Sequence, residues 1–400
     1  MGCTASSEGR SRRVASLAVV VAVFAYLAFY LYESRGLTRT TGWDVFAYVG
    51  AVVSLEDEAA DAERIHAAAY EAVRAQASDE LFARLTADGG GDAQGAIDYR
   101  ARMATDAEAF VMQLPFYRVR PLYIAALRGL TKLGVNPVQA IVIVGVCAMA
   151  LIVLLLFVCL QQLFGAVVAA LLTLLASSAF GILPVARAAT PDALNALLLF
   201  AGVVLLAARS ALVVRAGVVV LLASIFVRSN NAAVVICAFL AVAVSWPGAG
   251  RSRVRLALAV AYSVLAVGAF VFVHTQAAHV GWWTSFRHTF VAWNPRPLVD
   301  VPSFSASEYL AVLAHRLPRV LAWERGFAFF ALLVVLVLGL RRGARHHDRE
   351  VALLLALLVA ALLQLLLFPI GQDRIYAGYA AAAVVLAARA LRTRTSTSCP

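Results

Sequence analysis

The sequence predicts an all-α, polytopic membrane protein with about ten transmembrane helices and a long helical first outer loop. Of its 400 residues, 62% are apolar and 14% charged, whereas an average soluble domain is about a quarter charged. The apolar residues fall in runs of roughly twenty, the length a bilayer core asks of a helix. Arginines crowd the short loops on one side of these runs and are sparse on the other. With a mean hydropathy of +0.83, a soluble surface could not be covered with polar groups.

The first run, 14–33, follows Arg10, Arg12 and Arg13 and has no small-residue cleavage site after it. Residues 1–33 therefore read as a cytoplasmic N-terminus and a signal-anchor helix. An outer (periplasmic) loop with amphipathic surface helices follows over 34–137. Helices two to seven occupy 138–276, as the runs 138–163, 166–186, 192–208, 211–227, 231–247 and 256–276. An outer loop rich in aromatics and histidine spans 277–325. Helices eight to ten (326–340, 350–369 and 375–391) fill 326–391, and 392–400 is a cytoplasmic tail.

Loop charge sets the orientation. The short inner loops carry Arg209 and Arg215, then Arg251, Arg253 and Arg255, then Arg341, Arg342, Arg345 and Arg349, and the C-terminal end carries Arg389, Arg392 and Arg394. The short outer loops carry one arginine each: Arg187, Arg228 and Arg374. That asymmetry predicts a cell inner membrane protein with both termini cytoplasmic. Much of the formal charge of +11 is thereby an orientation signal with membrane lipids as partners. No clustered basic face with interleaved aromatics points to nucleic acid.

The cysteines, at 3, 147, 159, 237 and 399, give no disulfide framework and no paired metal spacing. The Met-Gly-Cys-Thr-Ala-Ser start fits a myristoylation pattern that adds little to a chain already anchored by helices. No metal site is expected and no cofactor is required; a divalent cation is left open.

Chemistry is sought in the outer segments. From Ser54 to Arg84, eight carboxylates alternate with Ala, Leu and Ile65 at helical spacing, an amphipathic helix lying on the membrane or on a neighbour. Asp88-Gly-Gly-Gly-Asp92 lacks the spacing of a calcium loop and reads as a turn. A second polar helix is expected near 95–113, and a short amphipathic stretch over 122–133. Between them, Phe116-Tyr-Arg-Val-Arg-Pro-Leu-Tyr123 places Arg118 and Arg120 either as a snorkelling anchor belt or as holders of a lipid phosphate. In the late loop, His274, His279, His288, Trp282, Trp283, Trp293 and Trp323 offer sugar-stacking or interfacial aromatics, without a metal-ligand spacing.

Asp44, among Trp43, Val45 and Phe46, is either a helix N-cap or a carboxylate whose burial tunes it as a general base. Thr190-Pro191-Asp192 has the form of a helix start, with Thr190 as cap. Arg187 has no such explanation. Arg228 ends an apolar run, where deep placement costs up to ~2.5–3.5 kcal/mol. Asp373 and Arg374 stand at the mouth of the last helix. One carboxylate and several arginines at the outer helix ends suggest a single outward polar site.

These features together resemble the GT-C superfamily of polytopic glycosyltransferases. The points of resemblance are the first helix, the Asp44–Tyr48 segment opening a long outer loop, Arg-Pro-Leu-Tyr at 120–123, Thr-Pro-Asp at 190–192, Arg228 and Arg374. Many relatives carry an acidic pair where this chain has Trp43-Asp44, so only Asp44 carries over. The resemblance implies transfer of a sugar from a polyprenyl-phosphate donor to a lipid or glycan acceptor hydroxyl, with inversion. It casts Asp44 as catalytic base and Arg118, Arg120, Arg228 and Arg374 as donor-phosphate ligands, supported by Tyr48, Tyr123, Arg187, Asp192 and Asp373. A transporter or lipid flippase would instead need internal repeats and broken helices; Ser177-Ser178 and Gly181 are the one candidate break. A glycan polymerase or ligase would use the late outer loop.

Overall fold

The computed structural model describes residues 4–38, 41–57, 59–87, 98–245, 252–277, 281–292, 303–323, 325–340, 349–370 and 372–395. Among these residues the chain is all-α, with no strand. Helix α1 (Thr4–Glu33) is followed by seven short helices: α2 (Asp44–Glu56), α3 (Ala62–Arg74), α4 (Asp79–Thr86), α5 (Tyr99–Thr105), α6 (Ala107–Gln113), α7 (Pro115–Arg118) and α8 (Pro121–Lys132). The apolar bundle then begins with α9 (Pro137–Phe164), α10 (Ala166–Ala179), a 3-10 turn (Leu183–Arg187), α11 (Asp192–Leu206), α12 (Ala211–Ile225), α13 (Asn231–Ser245) and α14 (Ser252–Gln276). It closes with α15 (Trp282–Phe290), α16 (Ala306–Trp323), α17 (Arg325–Leu340), α18 (Arg349–Leu367) and α19 (Asp373–Thr395).

Each of the ten apolar runs carries a helix, but among the described residues five helices are long and apolar enough to cross a membrane: Ser16–Glu33, Pro137–Phe164, Arg253–Gln276, Arg349–Leu367 and Asp373–Arg392. Helices α10 to α13, by contrast, have 14 or 15 residues. At 1.5 Å per residue they reach about 21–23 Å, short of a ~30 Å hydrocarbon core. A ten-span topology thus rests on loop charge alone. The expected helix over 166–186 stops at Ala179, because Gly181 adopts a left-handed φ of 64° that a continuing helix cannot hold.

The outer segment departs from expectation in a physically simple way. The single amphipathic helix expected over 54–84 is three pieces. Asp61 caps α3 by accepting from Arg64 N at 2.9 Å, and Ser78 caps α4 by accepting from Leu81 N at 3.2 Å. The helix expected near 95–113 likewise breaks at Asp106, whose carboxylate accepts from Ala109 N. Short polar side chains compete for backbone N–H groups and restart a helix where periodicity alone would continue it. The pieces pack on one another around α2, with Val45, Phe46, Val49, Ile65, Val73, Leu85, Met103 and Phe110 buried in one cluster. The Asp88–Asp92 run lies outside the described residues.

Within the bundle α11 is central, touching α9, α12 and α19, while α19 also packs on α17 and α18. Of the five long helices α19 is the most enclosed and α1 and α14 the least. Contact between α11 and α19 is backbone to backbone: a Cβ built on Gly378 would stand 2.8 Å from Ala196 Cα and 2.9 Å from its carbonyl oxygen. Ala196 and Gly378 each lie one turn beyond the residues, Asp192 and Arg374, that meet at the helix starts.

Gly378→Ala should therefore force α11 and α19 apart and cost about 1–3 kcal/mol, the usual range for overpacking. Thermal unfolding in detergent micelles reads this. Gly268→Ala on α14, where a Cβ meets nothing within 4 Å, should leave the midpoint in place.

Candidate functional site

The start of α11 places a carboxylate where the helix dipole favours one, and three further groups close over it. Asp192 is 1% exposed. Arg228 Nη2, from the turn between α12 and α13, lies 3.0 Å from its Oδ1, and Arg374 Nε, from the first turn of α19, lies 3.3 Å from its Oδ2. The Thr190 hydroxyl donates to Oδ2 at 2.8 Å. Thr190 thus serves the carboxylate and does not cap the helix, and Pro191 sits at the cap position without a side-chain bond. Ala189, just before this segment, has a φ of 45°, the one positive value outside glycine among the described residues. That conformation costs an L-residue ~1–2 kcal/mol, so packing holds the approach to Asp192 in place.

Arg374 bridges to a second, more open carboxylate. Its Nη2 stands 3.9 Å from Asp44 Oδ2, and the Asp44 side chain is 31% exposed. Asp44 is the first residue of α2 and makes no capping bond; its Oδ1 instead accepts the Tyr117 hydroxyl at 2.9 Å. Burial, then the Asp44 charge, pushes the Tyr117 phenol well above the usual tyrosine range, so Tyr117 stays protonated and keeps donating. Gln372 Oε1 accepts from Arg374 Nε at 2.7 Å, which orients the guanidinium between the two aspartates.

Arg120 completes the cluster from the chain between α7 and α8. It lies over the rings of Tyr48 and Tyr117, 5.5 and 5.6 Å from their centroids. Its Nη1 donates to Phe116 O at 3.4 Å, and among the described residues no carboxylate stands within ion-pair distance of it. A backbone bond from Leu122 N to Phe226 O, 3.0 Å, fastens this segment beside the turn that carries Arg228. Tyr48 and Tyr123 are each 1% exposed and meet edge to face at 5.0 Å; the buried Tyr123 hydroxyl has no hydrogen-bond partner. Beneath them the Asn231 side-chain amide donates to Asn195 Oδ1 and to Ser224 O, pinning the Arg228 turn against α11. Ser229 Oγ meets His274 Nε2 at 3.0 Å.

The expected site residues divide accordingly. Asp44, Arg120, Asp192, Arg228 and Arg374 converge, with Tyr48 and Tyr123 packed against them. Arg118 turns the other way and donates to Ser54 Oγ at 2.7 Å; burial lowers its pKa. Arg187 donates from Nε to Ser34 Oγ at 3.0 Å and lies over the Tyr30 ring, tying the end of α1 to the bundle. Asp373 packs on Gly181, where a Cβ would come within 2.9 Å of its own.

Sequence reading passed over Tyr117, which stood in plain view in the 116–123 stretch, and Asn195 and Asn231, which only the crossing of α11 and α13 brings together. Of the late-loop tryptophans, Trp283 is taken up in packing, its Nε1 donating to Ser303 O and its ring stacking on Phe286, while Trp282 is 38% exposed. His279 and Trp293 lie outside the described residues. Among the described residues no group of three His, Cys, Asp or Glu side chains is placed to hold a metal.

Chemically, the cluster sets three guanidinium groups (Arg120, Arg228 and Arg374) against two carboxylates, leaving one positive charge unmatched beside an accessible aspartate. It can bind an anion and, at Asp44 Oδ2, accept a proton. Comparison with protein families, curated proteins and solved structures finds no match for this chain.

Removing the buried carboxylate strands two guanidinium groups. Asp192→Ala should cost about 3–5 kcal/mol, as breaking buried ion pairs does. Thermal unfolding that shows no greater loss than Asp79→Ala, whose carboxylate pairs with Arg74 while 91% exposed, would show that Asp192 is not structural.

Proposed function

We propose that this chain is a membrane glycosyltransferase of the GT-C kind, moving a sugar from a polyprenyl-phosphate donor to an acceptor hydroxyl at the outer face of the cytoplasmic membrane. The observation that carries this reading is the pairing of an open carboxylate, Asp44, with an arginine cluster one positive charge in excess. Proton acceptance and phosphate departure need those two features side by side.

In this mechanism Asp44 Oδ1 is occupied by the Tyr117 hydroxyl and Oδ2 takes the acceptor hydroxyl proton. The acceptor oxygen forms a bond to the anomeric carbon as the bond from that carbon to the phosphate oxygen breaks on the opposite face, giving inversion. The electron pair stays with the leaving polyprenyl phosphate, which gains one negative charge. Arg120, which among the described residues has no carboxylate within ion-pair distance, meets that charge first, with Arg374 and Arg228 behind it. Fixed cations aimed at developing charge are the strongest form of electrostatic catalysis. The phosphate is a good leaving group, so no general acid is called for. Arg118 plays no part, since Ser54 holds it elsewhere.

A flippase is supported less well, because ionisable pairs here stand at helix starts and not at mid-helix where a midplane carrier site is built. The polymerase or ligase reading depends on the late outer loop, whose Trp283 is used in packing.

Purified protein in liposomes with lipid-linked sugars, chosen from the envelope glycans missing in a deletion strain, tests the proposal. Asp44→Asn should lower kcat by about 10²–10⁴-fold, the range for a lost general base. Arg120→Ala should raise the donor KM and Arg118→Ala should leave it unchanged. Undiminished transfer by Asp44→Asn would overturn the mechanism.

A further inference from the structure

Helices α15 and α16 form a small core of their own, in which Trp283, Phe286 and Phe290 are buried with Tyr309, Val312 and Phe368 packed on them, while Leu317 and Val320 of α16 join the bundle's main core. The pair is fastened to the end of a membrane-length helix. Trp282 Nε1 donates to Leu367 O at 2.9 Å and the Tyr309 hydroxyl donates to Leu366 O at 2.8 Å. These are the last carbonyls of α18, which have no helical N–H to accept and which hydrocarbon could not satisfy. The attachment sets α15 and α16 at the end of the bundle where α19 begins with Asp373 and Arg374.

At that level the outward side of the pair is apolar. Phe304 is 59% and Leu310 60% exposed, and Trp282 is 38% exposed. Along α16, Leu310, Ala311, Ala314 and Pro318 face outward at three- and four-residue steps while Leu313 and Val320 are buried on the opposite side. His315 and Arg319 are exposed beside this stripe, and Glu308 is taken up by Arg287 at 3.0 Å. An apolar stripe with basic neighbours and with indole and phenol groups at the same height is the make-up of a helix lying in a lipid interface. A helix apolar on both its inward and outward sides has no such place in water.

We propose that α15 and α16 are seated in the lipid leaflet on the side of the candidate site, with Phe304, Leu310 and Trp282 at the boundary between headgroups and acyl chains. The occupant of this face is the bilayer surface itself. His288 on α15 stacks on Phe116 at 4.9 Å, one residue before Tyr117, so the seated pair also forms a direct bridge from the leaflet to the Asp44 cluster. This placement stands independently of the transferase reading.

The test uses the unaltered full chain in nanodiscs of phosphatidylcholine and phosphatidylglycerol doped with a phosphatidylcholine whose acyl chain carries a diazirine near the glycerol. After illumination, peptides covering 304–318 should carry lipid adducts, as should the exposed face of α14, which serves as the positive control. Adducts on α14 with none on 304–318 would overturn the proposal. A second measurement places a nitroxide at Leu310→Cys in a full chain whose native cysteines are replaced. Oxygen collision exceeding nickel-chelate collision several-fold supports seating in lipid. Nickel access equal to that of a label at exposed Glu63 means water, and low access by both means a protein partner such as a second copy. Either of the last two results refutes the proposal.

Discussion

The end of the bundle where α11 and α19 begin is organised around one carboxylate that is almost wholly buried. Burying Asp192 alone would cost several kcal/mol, and the chain meets that cost with groups from separate parts of the sequence: Thr190 two residues earlier, Arg228 from the turn after α12, and Arg374 from the last helix. Each partner constrains the others. The Arg228 turn must be held by Asn231 and Asn195, α19 must approach α11 closely enough for Arg374 to arrive, and Arg374 is then positioned to reach Asp44. The polar site is the by-product of neutralising a single buried charge.

Two bodies of different construction meet there. The bundle supplies Asp192, Arg228 and Arg374 from long apolar elements whose positions are set by close helix packing. The outer cluster of short helices supplies Asp44, Tyr117 and Arg120 from a separate aromatic core around Phe46, Tyr70 and Phe110. Their join at the site includes one long ion pair, Arg374 to Asp44 at 3.9 Å, and one backbone bond, Leu122 to Phe226, and Val138, Ile141, Ala189 and Val227 of the bundle pack into the short helices' core. A structural carboxylate and an accessible one are thereby separated by environment, although the same arginine touches both.

Much of this was legible in the sequence because it depended on exceptions to a strong pattern. Against long apolar runs, Asp44, Arg228 and Arg374 stood out as isolated polar residues, and all three reach the cluster. What could not be read was direction. Arg118 and Arg120 are two residues apart, but α7 ends at Arg118 and the chain turns, so one faces Ser54 and the other the site. Arg187 looked unexplained until the end of α1 came back to it through Ser34. The divided surface helices follow from Asp61, Ser78 and Asp106 acting as caps, a local effect that periodicity averages away. Asp192, taken first for a helix-dipole residue, is the hub because groups more than thirty residues distant converge on it, and no spacing rule reports that.

Gly378 takes no part in any of these polar contacts, yet the charge pattern depends on it. Arg374 holds Asp192 at 3.3 Å across the α11–α19 contact and Asp44, on α2, at 3.9 Å, so widening between α11 and α19 draws the guanidinium away from Asp192. The missing methyl group one turn below is what lets a single guanidinium serve two aspartates. With a larger residue there, Asp192 would keep Arg228 and Thr190 but lose the guanidinium it shares with Asp44. A residue with no side chain thus acts as the spacer that couples the open half of the cluster to its buried half.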